Sequence, residues 1–315
     1  MVDEKIKNSL VCPNCHNALF SGDTVLICKG CRRTYPVIEN IPVLINEDKG
    51  IFKVDDFRKG RPTTIELRTG DQHFLRRMWK RIVPEMTLNI GSRKNFKKLK
   101  DEVLRFNAKP AVLILGGSIL GLGADQLIED GRITAVETDV SFGPRAQIIC
   151  DAHTIPFSDG SFDAVVVQAV LEHVLDPDKC VAEIHRVLKP GGLVYSEIPF
   201  MQQVHMERYD FTRFTDMGQR RLFRKFEEIE RGIIGGPASA LAWSLRYFLI
   251  SFSDSRIVKK ILSTFAIFAF FWIKYFDYFL VNKRSSYCGA SGFYFMGRKG
   301  DKTLSDREII SLYRG

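Results

Sequence analysis

The chain has 315 residues, a hydrophobic content of 45%, a charged content of 26% and a formal net charge of +9. These values exclude a low-complexity or disordered polymer and allow one large folded domain plus a small one. The opening MVDEKIKNSL lacks the apolar core of a secretory signal, so the seven cysteines are expected in a reducing, cytoplasmic compartment, where thiols bind metal more often than they pair.

Charge is concentrated at one end. Residues 1–110 hold 22 Lys+Arg against 13 Asp+Glu, and the remainder holds 24 of each. Either this third meets an anionic partner or it is simply a solvated surface. Within it, Cys12-Pro-Asn-Cys15 and Cys28-Lys-Gly-Cys31 are two CxxC knuckles twelve residues apart. Four thiolates at this spacing close a tetrahedral Zn2+ site, and a four-cysteine site is structural because no position stays open for water. The metal stabilises a unit too small to draw enough from a core. Residues 1–48 are expected to be this ribbon, with His16 at its surface. Residues 49–110 are expected to be a basic, partly helical connector containing Arg58, Lys59, Arg61, Arg76, Arg77, Lys80 and Arg81. Its segment Arg93–Phe106 spaces Phe96, Leu99, Val103 and Phe106 as one helical stripe.

Ala111–Leu115 is a short apolar strand running into Gly116-Gly-Ser-Ile-Leu-Gly-Leu-Gly123. Glycines there let a ligand approach the backbone closely, and nearby helix N-terminal amides suit a carboxylate. A second strand, 133–136, ends at Glu137, with Asp139 two residues on. Asp151 ends a third. Two apolar runs, Phe162–Val167 and Leu193–Ile198, bracket a helix near Asp178–Leu188 that stops at Lys189-Pro-Gly-Gly192. That is the strand–helix–strand unit of a parallel sheet, whose ligands bind beyond the carboxyl ends of the strands. A sixth strand is expected near Phe226–Ile234.

The residues Asp151-Ala-His, Ile155-Pro-Phe157, Asp159-Gly-Ser-Phe-Asp163, Leu171-Glu-His173 and Arg186-Val-Leu-Lys-Pro-Gly-Gly192 closely resemble the class I S-adenosylmethionine-dependent methyltransferases of the type 11 group. The resemblance covers 111–226 and returns at Phe293–Lys299. It implies an α/β fold, a Rossmann-like seven-stranded doubly wound sheet whose last strand, Phe293–Lys299, runs antiparallel. Residues 111–315 would be this domain, with an aromatic-rich helical insertion at 237–290. The resemblance also assigns the cofactor contacts to Gly116, Gly117, Ser118 and Gly121, to Glu137 before Asp139, and to Asp151, Ala152, His153 and Gln168. Asp151 would accept from the adenine amino group. The family pattern has an acid where Ile114 stands and a glycine where Ser118 stands, so the amine contact must come from elsewhere. Glu172 and His173 match a family motif, with helix capping and packing the favoured role for Glu172. The Tyr35–Ile45 stretch after the knuckles resembles small zinc-ribbon proteins that accompany or activate methyltransferases.

Methyl transfer from a sulfonium is a direct displacement that depends on alignment in a water-poor site. A hydroxyl acceptor also needs a base. His205 is the candidate, with Asp210 orienting it and Arg213 pairing with an anionic acceptor. A structural Asp210–Arg213 pair is the competing reading. Sequences resembling this post-strand block are associated with bacterial surface-glycan pathways, which points to a glycan or lipid-linked glycan acceptor. Residues 255–284 include ILSTFAIFAFFWIKYFDYFLV (261–281), flanked by lysines and an arginine and interrupted by Lys274 and Asp277. It is a lid or core helix, an interfacial membrane helix at the inner face, or a span. An RNA methyltransferase and a degenerate non-catalytic module are the alternatives. The run Gln168-Ala-Val-Leu in place of Asn-Pro-Pro-Tyr argues against base methylation. Oligomeric state is not legible.

Overall fold

The computed structural model describes residues 4–22, 24–58 and 83–314. Of the connector's basic residues, Lys59, Arg61, Arg76, Arg77, Lys80 and Arg81 lie outside them. The strands in chain order are β1 (Leu19–Ser21), β2 (Val25–Cys28), β3 (Thr34–Ile38), β4 (Ile41–Leu44), β5 (Ala111–Leu115), β6 (Thr134–Asp139), β7 (Ile148–Cys150), β8 (Phe162–Gln168), β9 (Leu188–Pro199), β10 (Phe226–Gly235) and β11 (Gly292–Lys299).

They form one sheet in the order β1-β2-β3-β4-β7-β6-β5-β8-β9-β11-β10. The seven strands β5–β11 are the expected doubly wound set. Neighbours from β7 through β9 pair in parallel, and β11 inserts antiparallel between β9 and β10. β8 is buried along nearly its whole length because helices cover both faces, which is why Ala164–Val167 reads as an unbroken apolar run. The helix after it is Pro177–Val187, capped by Asp176, whose side chain accepts from the Lys179 N–H. The expected turn at Lys189–Gly192 is instead the irregular first part of β9. Leu188 pairs with Phe162, and the register shifts before Leu193 meets Ala164.

The sheet extends beyond seven strands. β4 of the ribbon joins the outer edge in parallel, with Val43 opposite Ile149 and Leu44 opposite Cys150. β7 is only three residues long, and an uncovered edge invites association with other chains. β4 covers it, and Val43 and Leu44 are fully buried in doing so. The Ser92–Phe106 helix buries Phe96, Leu99 and Val103 against β5, β8 and β9. Phe106, the fourth member of the expected stripe, is more than one-third exposed and lies under the Arg298 guanidinium, 5.9 Å from its ring centroid.

The insertion folds as helices Pro237–Ile250, Arg256–Phe270 and Asp277–Leu280 with 3-10 turns at Phe271–Phe276 and Arg284–Cys288. Among the described residues no helix is long and apolar enough to cross a membrane. The two charges that interrupt the apolar run work inward. Asp277 is fully buried and accepts from the Ala238 N–H (2.8 Å), the Ser239 N–H (2.9 Å) and the Ser239 hydroxyl (2.7 Å). It therefore satisfies the open amides at the start of the Pro237–Ile250 helix. Lys274 donates to the Glu85 carbonyl.

Candidate functional site

The four ribbon cysteines converge. Cys12 and Cys31 sulfurs lie 3.7 Å apart and those of Cys15 and Cys28 3.4 Å apart, with all four within 4.8 Å of one another. Disulfide bonding requires about 2.05 Å, whereas tetrahedral zinc with Zn–S of about 2.3 Å sets its sulfurs about 3.8 Å apart. The donor set thus fits structural zinc. Backbone N–H groups of Asn14 and Cys31 donate to the Cys12 and Cys28 sulfurs, and the Tyr35 hydroxyl lies 3.0 Å from Cys12. Such contacts orient the ligands.

A cleft opens at the carboxyl ends of β5, β6, β7 and β8, where parallel α/β sheets bind their ligands. Gly116 at the end of β5 has φ +75°, and a Cβ there would meet the Val170 Cγ2 at 2.4 Å, so only glycine lets the chain turn beneath the ligand. Asp139 and Asp151 bring two carboxylates, with Ala152 and His153 beside them. Each oxygen of Asp139 takes one backbone N–H, from Ser118 (3.1 Å) and Ser141 (3.0 Å), which leaves lone pairs for a vicinal diol. Burial raises the pKa of this group. The His153 Nε2 accepts from the Asp176 N–H at 3.1 Å, so its proton sits on Nδ1, 2.5 Å from the Asp151 carboxylate.

The other expected cofactor residues stand behind the wall. Glu137, preferred over Asp139 from the sequence, is held by Arg145 through two hydrogen bonds of 2.7 and 2.9 Å and does not line the cleft. It sits two residues before the end of β6, whereas Thr138 and Asp139 line the cleft. Gly117 packs on Glu137, and Gly121 on Gln168, where a Cβ would come within 1.8 Å of the amide oxygen. Gln168 donates to Glu197 (2.9 Å), tying β8 to β9. Ser118, where the family has glycine, donates its N–H to Asp139 and its hydroxyl to the Ser141 carbonyl (2.8 Å), while Gly143 makes room for its side chain. Ile114 packs in the core with Phe96 and Leu127.

Sequence reasoning missed the roof. Ile51 and Phe52, just beyond the ribbon, line the cleft opposite Met206 and Tyr209. The Phe52 ring stacks on Tyr209 with centroids 6.4 Å apart.

A second cleft of about 540 Å³ adjoins the first, with Glu197, Pro199, Gln202 and His205 among its lining residues. Ala169, in the left-handed region at φ +53°, lines both. Here the three expected catalytic residues separate. Arg213 spends all five N–H donors on Asp210 and on the carbonyls of Gln202, Thr212 and Gln203. It clamps the loop after β9 and has no donor left for an acceptor, so the structural-pair reading holds for Asp210 and Arg213. Burial alone would raise Asp210, but the bonds from Arg213 and from the His205 N–H hold its carboxyl well below the usual range. His205 does face the cleft. It stands with His173, ring centroids 4.8 Å apart, beside Glu172. Glu172 is fully buried, and neither carboxylate oxygen has a hydrogen-bond partner. Burial pushes its pKa up to about 8 and that of His173 down to about 4. Glu172 packs as expected, but its carboxylate caps no helix among the described residues.

Residues 118–196 match the family model of the methyltransferase domain, and residues 3–40 match that of Trm112p-like proteins. The chain carries a methyltransferase domain of this family behind a Trm112p-like ribbon. A domain of this kind depends on S-adenosylmethionine. The ubiquinone/menaquinone biosynthesis C-methyltransferase UbiE of Brucella canis is 34% identical over 112 residues, 34% of this chain and 38% of that protein. The chain thus spans less than two-fifths of this relative's length. An uncharacterized 37.1 kDa protein from a Streptomyces fradiae transposon is 28% identical over 135 residues, 40% of this chain and 35% of that one. Solved structures with likeness include Haemonchus contortus phosphoethanolamine N-methyltransferase 2 with S-adenosyl-L-methionine (18% identity, 68% of this chain, 54% of that chain, TM-score 0.39). Another is the complex of the Haloferax volcanii Trm112 methyltransferase activator with a methyltransferase (18%, 65%, 94%, TM-score 0.38).

Proposed function

We propose that the chain is an S-adenosylmethionine-dependent methyltransferase that methylates a hydroxyl of a glycan or lipid-linked glycan at a membrane surface. One observation carries the reading. The cofactor cleft, with Asp139 and Asp151, shares Ala169 in its wall with a second cleft bearing Glu172 and His205. A methyl group presented from the first would meet an acceptor oxygen held in the second, with the roof of Phe52 and Tyr209 excluding water. Asp139 would accept the ribose hydroxyls and Asp151 the adenine amine. Ser118 does not argue for a dead pocket, because its own hydrogen bonds hold the loop and Asp139 in place.

An amphiphilic acceptor is favoured by the insertion. Phe252, Ile257 and Phe279 are each over 70% exposed, and Ile261, Phe265 and Trp272 about half or more. Exposed Arg256, Lys260, Lys283 and Arg284 belong to the same segment. Apolar and basic residues together match an anionic lipid surface.

Calorimetry on zinc-loaded protein tests the core of this reading. It should show one S-adenosylmethionine bound per chain, and the absence of any heat of binding would sink the proposal. Surface glycans from cells lacking the chain should then lose one methyl group's mass.

A further inference from the structure

We infer that Glu172, His173 and His205 form a second metal site, distinct from the ribbon, that holds a divalent transition-metal cation of the zinc class between the two clefts. The inference concerns binding and needs no turnover. Only its role, setting the acceptor oxygen, rests on the methyltransferase reading.

Three observations converge. First, the donor atoms are together. The His173 Nε2 is 3.6 Å and the His205 Nε2 3.9 Å from the same Glu172 oxygen, and one donor atom from each residue lies within 4.8 Å of the other two. A cation with bonds of about 2.0–2.1 Å sets tetrahedral donors about 3.3 Å apart, so a modest contraction closes the shell.

Second, the imidazoles are oriented as ligands. The His173 Nδ1 is 2.8 Å from the Tyr209 carbonyl, which fixes its proton there and leaves the Nε2 lone pair facing Glu172. The His205 Nδ1 lies 3.4 Å from both the Gln203 carbonyl, its hydrogen-bond partner, and the Asp210 carboxylate, again turning Nε2 toward Glu172. Asp210 is itself held by Arg213, so the clamp described above acts as the outer support of a ligand. A histidine tied through one nitrogen to a carboxylate or carbonyl and presenting the other is the usual arrangement around bound metal.

Third, Glu172 lacks any other partner. Neither oxygen has a hydrogen bond to another residue, which is costly for a buried carboxyl unless it takes up a proton or a cation. No hydrogen bond from either imidazole reaches it, and Arg213 has no donor to spare. A cation would satisfy both oxygens.

Two nitrogens and a carboxylate leave at least one coordination position open. Glu172 and His205 both line the second cleft, so that position faces the acceptor. An oxygen ligand, such as a sugar hydroxyl, fits it, and the cation would polarise that oxygen. His205 is then a ligand through Nε2 and not a free base.

The test counts metal in the full chain. Protein equilibrated with Zn2+ and freed of excess should carry two equivalents. Glu172→Gln and His205→Asn should each carry one, and Cys12→Ser with Cys15→Ser should lose the other. Cobalt substitution distinguishes the sites, since thiolate charge-transfer bands persist in Glu172→Gln while the nitrogen–oxygen site's visible bands vanish. His205→Asn changes a partly exposed loop residue, which guards against a folding artefact at Glu172. One equivalent in the parent chain, or two retained in both His205→Asn and Glu172→Gln, would overturn the site and leave a proton-sharing Glu–His cluster. Intact S-adenosylmethionine binding beside a single equivalent overturns only this inference. Two equivalents without cofactor binding overturn only the functional reading.

Discussion

At the residue scale, position along a strand outweighs residue type. Glu137 and Asp139 are both acids near the end of β6, and sequence reasoning ranked them the other way. The structure gives Glu137 a private partner in Arg145 and gives Asp139 the cleft. Asp139→Ala should therefore weaken S-adenosylmethionine binding ten- to hundred-fold, about 1.4–2.8 kcal/mol, as expected for lost hydrogen bonds to a charged group. Glu137→Gln should leave affinity within threefold but lower stability by about 2 kcal/mol. Calorimetry and denaturant melts on both variants check the assignment, and equal affinity losses would refute it. Arg145 was not singled out from the sequence, because its pairing reaches back eight positions across the loop after β6.

At the element scale, the ribbon is a strand donor as well as a metal knot. β4 completes the sheet edge, and the chain leaving it places Ile51 and Phe52 over the cofactor cleft. Zinc loss should therefore be felt at the cofactor. In the double variant Cys12→Ser and Cys15→Ser, amides of β2 to β4 should exchange far faster while β5, β8 and β9 stay protected. S-adenosylmethionine affinity should fall by about tenfold, since the Phe52–Tyr209 roof contributes about 1 kcal/mol or more. Unchanged exchange in β2–β4 would refute the zinc assignment, and unchanged affinity would refute the roof. The two knuckles were legible because ligand spacing is local. The β4–β7 pairing was not, because it joins residues about a hundred positions apart and depends on which edge is open.

At the scale of the whole molecule, the apolar face of the insertion is turned outward while Asp277 and Lys274 anchor it inward. The chain should sediment with vesicles containing anionic lipid, and less with zwitterionic ones. Phe265→Glu with Phe279→Glu should release it without altering cofactor affinity. Equal sedimentation of parent and variant would count against docking. The same contrast runs through the molecule. Strand–helix–strand order, the glycine turn, the Asp151 and Pro177–Val187 region and the four-cysteine knot all follow from near neighbours, because propensity, periodicity and ligand spacing act over a few residues. What the linear order left open was settled by contacts across the fold. The choice of Asp139, the clamping of Arg213, the meeting of Glu172 and His173 with His205, and the face shown by the insertion each depend on burial. Burial is a property of the packed chain, and it decides whether a charge is solvated, paired or left waiting for a cation.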